Sequence, residues 1–225
     1  MKILMFSYYD TRSKDKYSFK DIANLTLSSK EEYCKIHGYD FVNCEIDEYW
    51  REIGWYKIDV IKDKLQYYDW IFYCEADCLI TNLTKRIEDI IDDNKYLIIS
   101  KNSISPSWTG LNCGNLIIKN SEWSQYFINF ISEKKEFYHH EWAEQKAIID
   151  EFEKNANMIN HTKLTTMRQM GGFRHQWYEK DNWQLGDWIM HLAGCSNEYR
   201  YNVFNELKDK IIKAPDYKLS FEPFI

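Results

Sequence analysis

Apolar and polar residues alternate between strand-like and helix-like periods along this chain. Met1 to Tyr8 (M-K-I-L-M-F-S-Y) is an almost unbroken apolar run that meets a polar segment at Tyr9 to Asp15, and it reads as a first strand and its loop. From Phe19 to Ile36, the apolar residues Phe19, Ile22, Ala23, Leu25, Leu27, Tyr33 and Cys34 fit a helix, and Gly38 suits the position just past its end. Tyr39 to Val42 predicts a short strand. Trp55 to Tyr68 sets Ile58, Ile61, Leu65 and Tyr68 at helical spacing, and Trp70 to Cys74 (W-I-F-Y-C) predicts a buried strand. The pattern then predicts a helix over Ile80 to Asp92 capped by Asn82, a strand over Tyr96 to Ser100, a proline-containing loop over Ser103 to Gly110, and a strand over Cys113 to Lys119. Helices follow over Glu122 to Ile131 and Trp142 to Phe152, separated by a charged turn at Lys134 to His140. Between Asn155 and Gly186 periodicity is lost, and a stretch that long is either functional or misassigned. Trp188 to Leu192 is a last apolar run, and Asn205 to Ile212 reads as a terminal helix. The opening order β-α-β-α-β is the signature of a parallel sheet with helices on its faces. No repeat, low-complexity tract or linker interrupts it, so a single α/β domain over residues 1–225 is expected.

Composition narrows the function more than the fold. The net charge of −6 and the absence of a basic block argue against nucleic acid as a partner. No run of 18 or more apolar residues exists and Met1 to Asp10 turns polar too soon for a signal peptide, so a soluble, cytoplasmic protein with no transmembrane anchor is expected. Six cysteines without a C-x-x-C pair read as reduced thiols; Cys74 and Cys78 lack a second pair with which to complete a zinc site. Aromatics reach 17% of the chain, and most are expected in the core, but they also supply flat faces for sugar rings. Trp108, Trp177 and Trp183, in irregular segments, are the candidates for that use.

The chemistry concentrates at Tyr68 to Asn82, Y-D-W-I-F-Y-C-E-A-D-C-L-I-T-N, where an apolar strand delivers Glu75 and Asp77 to its carboxyl end. A buried carboxylate costs several kcal/mol unless it is paired or bound to a cation, and ligands of α/β folds sit at the carboxyl ends of strands. Two carboxylates one residue apart can both reach a hard divalent cation. Capping of the next helix explains them equally well from the pattern alone. His191, in G-D-W-I-M-H-L-A-G-C from Gly186, is by itself more readily a hydrogen-bonded core histidine than a ligand.

Taken in order, these stretches resemble the nucleotide-sugar glycosyltransferases of the GT-A fold, and more narrowly the retaining galactosyl-, mannosyl- and xylosyltransferases of glycosyltransferase family 34. The resemblance rests on W-Y-K-I from Trp55, W-I-F-Y-C-E-A-D-C-L-I, L-N-C-G-N-L-I-I-K-N-S-E-W-S from Leu111, G-D-W-I-M-H-L-A-G-C and, more weakly, E-Q-K-A from Glu144. It implies a Rossmann-like α/β domain with a mixed, mainly parallel sheet. It also implies Mn²⁺, with Mg²⁺ as the alternative, held by Glu75, Asp77 and His191, a UDP-sugar donor, and a glycan or glycoprotein acceptor. Lys57, Asn112 and Gly114 match donor-binding positions, and Ser7, Tyr8, Ala76, Asp187 and Gly194 join that set. Gln145, with Glu144 beside it, matches a glutamine near the anomeric carbon.

The sequence departs from the family in three places. Glu75 stands where the family has Asp, Ala143 and Glu144 stand where it has two acidic residues, and Ser196 stands where it has a phosphate-binding lysine, a role for which Arg200 is the nearest substitute. An inverting enzyme would need a base, for which Asp187 or Glu141 is available. Two rival functions are a nucleotidyltransferase, which wants a Gly-rich loop that Phe6 to Arg12 lacks, and a non-catalytic sugar-binding module.

Overall fold

The computed structural model describes residues 1–12, 16–174 and 176–213, without the side chains of 176–178. His175 and the Trp177 side chain therefore lie outside the described residues. β1 (Ile3–Asp10) runs in parallel between β2 (Asp40–Ile46) and β3 (Trp70–Cys74). Past the short β4 (Cys78–Ile80), β5 (Leu97–Lys101) runs parallel to β7 (Thr162–Thr166), and β6 (Leu111–Lys119) is inserted antiparallel between β3 and β5. The six-stranded order is β2-β1-β3-β6-β5-β7, a mixed and mainly parallel sheet. A separate two-stranded sheet pairs β4 antiparallel with β8 (Ile189–His191).

Helices cover both faces, which is why the central strands read as continuous apolar runs. Leu4, Phe6, Ile71 and Tyr73 pack to one side with α2 (Tyr56–Lys64), α3 (Glu122–Ser132) and α4 (Ala143–Lys154), while Ile3, Met5, Trp70 and Phe72 pack to the other with Tyr33 and Cys34 of α1 (Phe19–His37). α1 starts with a capping box in which the Ser18 hydroxyl accepts from Asp21 N and the Asp21 carboxylate accepts from Ser18 N.

Three sequence expectations fail for physical reasons. Ile80 to Asp92 is not a helix: Ile80 belongs to β4, the backbone N–H groups of Thr81 and Asn82 donate to Trp188 O and that of Leu83 to Ile212 O, and only Ile87–Asp89 makes a 3₁₀ turn. The apolar spacing is satisfied instead by burying Leu83 and Ile87 under the sheet. The stretch after Asn155 carries α5 (Met158–His161), the edge strand β7 and α6 (Met167–Met170), too short to show a period. The terminal helix α7 spans Asn197–Leu207 rather than Asn205 to Ile212, because Ser196 caps it by accepting from Tyr199 N. No helix of the described residues is long and apolar enough to cross a membrane.

Candidate active site

The chain leaves β3 at Cys74, turns through Glu75, Ala76 and Asp77, and re-enters extended structure as β4, with Cys78 N donating back to Glu75 O at 3.1 Å. β4 pairs with β8 so that Cys78 lies opposite His191, and Leu192 N donates to Asp77 O at 3.2 Å. A residue 113 positions downstream of Cys78 is thereby fixed beside the acidic turn by backbone register. His191 Nε2 lies 3.2 Å from Glu75 Oε2 and 3.4 Å from Asp77 Oδ1. The Asp77 side chain is 3% exposed and that of Glu75 36%, so Glu75 is the partner that faces solvent.

Asp77 Oδ1 and both ring nitrogens of His191 are buried without a hydrogen-bond partner among the described residues. Orphaned buried polar atoms are costly, and here they converge, which is the arrangement a cation would relieve. Potential ligand atoms of Asp77, Cys78 and His191 lie within 4.8 Å of one another. A Cβ at Gly114 would fall 2.2 Å from His191 Cε1 and 2.4 Å from Glu75 Oε2, so glycine is what leaves room for the cluster. These residues fit a divalent cation. Burial works against a charge on His191, but Asp77 and then Glu75 outweigh it and push the imidazole up to about 9. Burial likewise opposes ionised Asp77, yet His191, Arg200 and Lys30 hold its carboxyl well below the ordinary range.

Arg200 reaches this cluster from α7 and donates through Nε to Asp77 Oδ2 at 2.8 Å and to Leu192 O, while Nη1 donates to Asn197 Oδ1. Gly194, at φ 70° in the turn between β8 and α7, uses a backbone region open to glycine and allows that return. Ser196 is occupied as the cap of α7. Asp187, by contrast, sits beyond the opposite end of β8 in a bidentate pair with Arg168 at 2.9 Å, apart from the cluster.

A second group backs the first. β5 and β6 lose register between Ile99 and Ser100, which pair with Leu116 and Asn112, so residues 113–115 bulge out of that ladder. The freed backbone of Cys113 accepts from Lys57 Nζ at 2.9 Å and donates to Gln145 Oε1 at 3.0 Å, and Asn112 Oδ1 accepts from Gly114 N. Lys57 is 3% exposed and pairs with Glu144 at 2.7 Å. Burial works against its charge, but Glu144, Tyr8 and Glu75 more than offset it and hold the ammonium above its ordinary value. Glu144 is thus a buried ion-pair partner, and half-buried Gln145 is the member of the pair with surface to offer.

Sequence reasoning missed Lys30. It is 1% exposed, and its Nζ donates to Glu75 O at 2.7 Å, Ser7 Oγ at 3.2 Å, Thr26 Oγ1 at 3.3 Å and Ala76 O at 3.4 Å. The signal was present, since Thr26, Ser29 and Lys30 put a polar stripe on the face of α1 that also carries Ile22 and Tyr33. Asn115 was missed as well; its Nδ2 donates to Cys78 Sγ at 3.3 Å behind His191.

Beside the acidic turn opens a cavity of about 460 Å³ lined by Tyr8, Tyr9, Phe19, Gly54, Tyr73 and Ala76, with Glu75 at its edge. The Tyr8 hydroxyl donates to Gly54 O, and burial raises its pKa first of all, so it stays a donor. Trp108 packs at a tilt against Phe152 and the Trp183 indole donates to Thr81 Oγ1, so both serve packing rather than an open face.

The sheet order and this site define the class: the fold is that of the GT-A glycosyltransferases. A glycosyltransferase involved in the glycosylation of the major capsid of PBCV-1 is similar over 92% of this chain and 100% of its own, at TM-score 0.70 and 17% identity. The chain belongs to glycosyltransferase family 34, the galactosyl transferase GMA12/MNN10 family, whose profile matches residues 1–105 and 93–202. Among curated relatives, the uncharacterized alpha-1,2-galactosyltransferase C1289.13c of Schizosaccharomyces pombe is 24% identical, covering 75% of this chain and 55% of the relative. The probable alpha-1,6-mannosyltransferase MNN10 of Saccharomyces cerevisiae is 23% identical, covering 78% and 56%. The chain therefore spans about half the length of the curated relatives it matches.

Proposed function

We propose that this chain is a divalent-cation-dependent glycosyltransferase that moves a sugar from a UDP-sugar to a hydroxyl of a glycan or glycoprotein acceptor, with retention of anomeric configuration. The observation that carries the reading is the convergence of Asp77 Oδ1 and Glu75 Oε2 on buried His191 Nε2, at 3.4 and 3.2 Å, with Glu75 at the edge of the cavity that Tyr8 and Phe19 line. Glu75, Asp77 and His191 would hold Mn²⁺ or Mg²⁺, and the cation supplies Lewis-acid stabilisation of the charge on the leaving diphosphate.

The chain's own residues do the rest. Arg200 fixes the rotamer of Asp77, and Lys30 fixes the backbone that carries it. Tyr8, Phe19 and Tyr73 offer the aromatic walls against which a nucleoside can lie. The Cys113 N–H donates to Gln145 Oε1 next to the Lys57–Glu144 pair, and in this reading the Gln145 amide N–H is the group available to the sugar. Such positioning lowers the entropy cost of bringing acceptor and anomeric carbon together. Retention rests on the resemblance around Gln145 alone.

The test is release of UDP from a panel of UDP-sugars with Mn²⁺, with EDTA, and in Asp77→Asn and His191→Ala variants. We expect turnover of at least one donor, lost on chelation and reduced at least a hundredfold in Asp77→Asn, about 2.7 kcal/mol in barrier. Undiminished turnover in EDTA or in Asp77→Asn would overturn the reading; tight UDP-sugar binding, read as a thermal shift, without turnover would instead mark a binding module.

A further inference from the structure

We propose that Trp50 and Trp142 form a stacking platform for the pyranose rings of the acceptor glycan, beside the candidate active site. This inference rests on the glycosyltransferase reading for the identity of the ligand. Of the tryptophans with described side chains, Trp55, Trp70 and Trp188 are buried and Trp108, Trp123 and Trp183 pack against the core. Trp50 is 66% exposed and Trp142 43%.

The exposure of Trp50 is not that of a loose side chain. The Arg51 guanidinium lies 4.6 Å over the Trp50 ring and 4.9 Å over that of Tyr138, and it is itself anchored by Asp59 at 2.6 Å. Trp50 also meets Tyr138 edge-on at 5.3 Å. One side of the indole is thus braced while much of the ring stays in water. An apolar ring held rigid and wet loses nothing further in ordering when a ligand covers it, and the C–H face of a pyranose is the surface that fits an aromatic plane.

The two tryptophans ride on loops that are tied together and continuous with the site. Glu52 N donates to Tyr138 O at 3.1 Å, and the Trp55 indole donates to Phe137 O at 3.2 Å. Trp50 precedes Ile53 and Gly54, which line the cavity, by three and four residues. Trp142 precedes Gln145 by three, so at full extension either backbone step spans about 11 Å. A Cβ on Gly54 would fall 2.2 Å from Glu144 Oε2, so the Trp50 loop and the start of α4 touch. Ala143, between Trp142 and Glu144, has φ 44°, a strained backbone for a residue with a side chain, and it turns the chain sharply from the exposed Trp142 to the buried Glu144.

The experiment titrates the protein by calorimetry with mannose- and galactose-terminated oligosaccharides, with no donor present, and compares Trp50→Ala, Trp142→Ala, Trp50→Phe and Tyr126→Ala. Tyr126 is 69% exposed on α3 and serves as a control aromatic. We expect the dissociation constant of an oligosaccharide that binds wild type to rise at least tenfold in each Trp→Ala variant, to be largely restored in Trp50→Phe, and to be unchanged in Tyr126→Ala. In turnover, the same variants raise acceptor KM more than they lower kcat. Unchanged affinity in both Trp→Ala variants, an equal loss in Tyr126→Ala, or no wild-type binding to any oligosaccharide would overturn the platform. Near-UV circular dichroism confirms that each variant is folded. Because no donor enters the titration, failure of UDP-sugar turnover is recorded separately and bears on the glycosyltransferase reading instead.

Discussion

Lys30 shows how a single buried charge organises the acidic turn. An ammonium at 1% exposure without a carboxylate in contact would be expelled or neutralised unless enough oxygens surround it, and four do, two of them backbone carbonyls of the turn itself. Lys30→Met keeps the volume and removes the donors, leaving Glu75 O without a side-chain partner. We expect kcat/KM for the donor to fall at least tenfold while the melting temperature drops by only a few degrees, because loss of the buried charge offsets part of the lost hydrogen bonding. Steady-state kinetics beside a thermal melt would check it; a variant as active as wild type would show that the turn needs no such support. The carboxylates were legible in the sequence because an apolar strand ran straight into them. Lys30 was legible only as one member of a polar stripe on the buried face of α1, since a lysine on a helix is usually solvated and only tertiary packing shows which one is enclosed.

At the scale of elements, the bulge in β6 and the first turn of α4 form one unit joined by Lys57, Glu144 and Gln145. Gly54 is the point where that unit has no slack, for a Cβ there would strike Glu144 Oε2 at 2.2 Å and Ala143 Cβ at 2.8 Å. Gly54→Ala should displace Glu144 and leave Lys57 with a buried, unmatched charge. The expected cost is about 3 kcal/mol, read as a shift in the urea midpoint. The far end of α4 is tied differently: Asp150 pairs with Lys154 at 2.8 Å and Lys134 at 3.4 Å. Burial alone would raise the Asp150 pKa, but these two lysines outweigh it and lower it. A carboxyl with a lowered folded-state pKa contributes stability above its unfolded value, near 4, and loses it as pH falls further. Asp150→Asn should therefore flatten the acid limb of a melting-temperature profile between pH 6 and 2, by less than about 1 kcal/mol. Periodicity located α1, α3 and α4 well because each spans three turns or more. It failed at Ile80 to Asp92, where the same apolar spacing served a strand, a bridge and a 3₁₀ turn whose hydrogen bonds go to distant segments.

At the scale of the molecule, the sheet with β6 reversed at its centre was legible in outline: the βαβαβ start gave the parallel half, while the orientation of β6 depends on pairing that no local pattern records. The two faces of the sheet share every central strand, so the chain should unfold as one cooperative unit. Far-UV circular dichroism and tryptophan fluorescence are expected to give coincident urea transitions, and two separated transitions would argue for more than one domain. The pairing of β4 with β8 carries a further consequence, for the order of events during synthesis. Cys78 and His191 meet only when residues more than a hundred positions apart are both available, so loop closure across that span must precede assembly of the site. A nascent chain emerging from its amino-terminal end displays the acidic turn long before it owns the histidine. The convergence of Asp77 and His191, on which the proposed cation site depends, therefore arrives late and all at once, and truncated products that end before β8 lack the histidine.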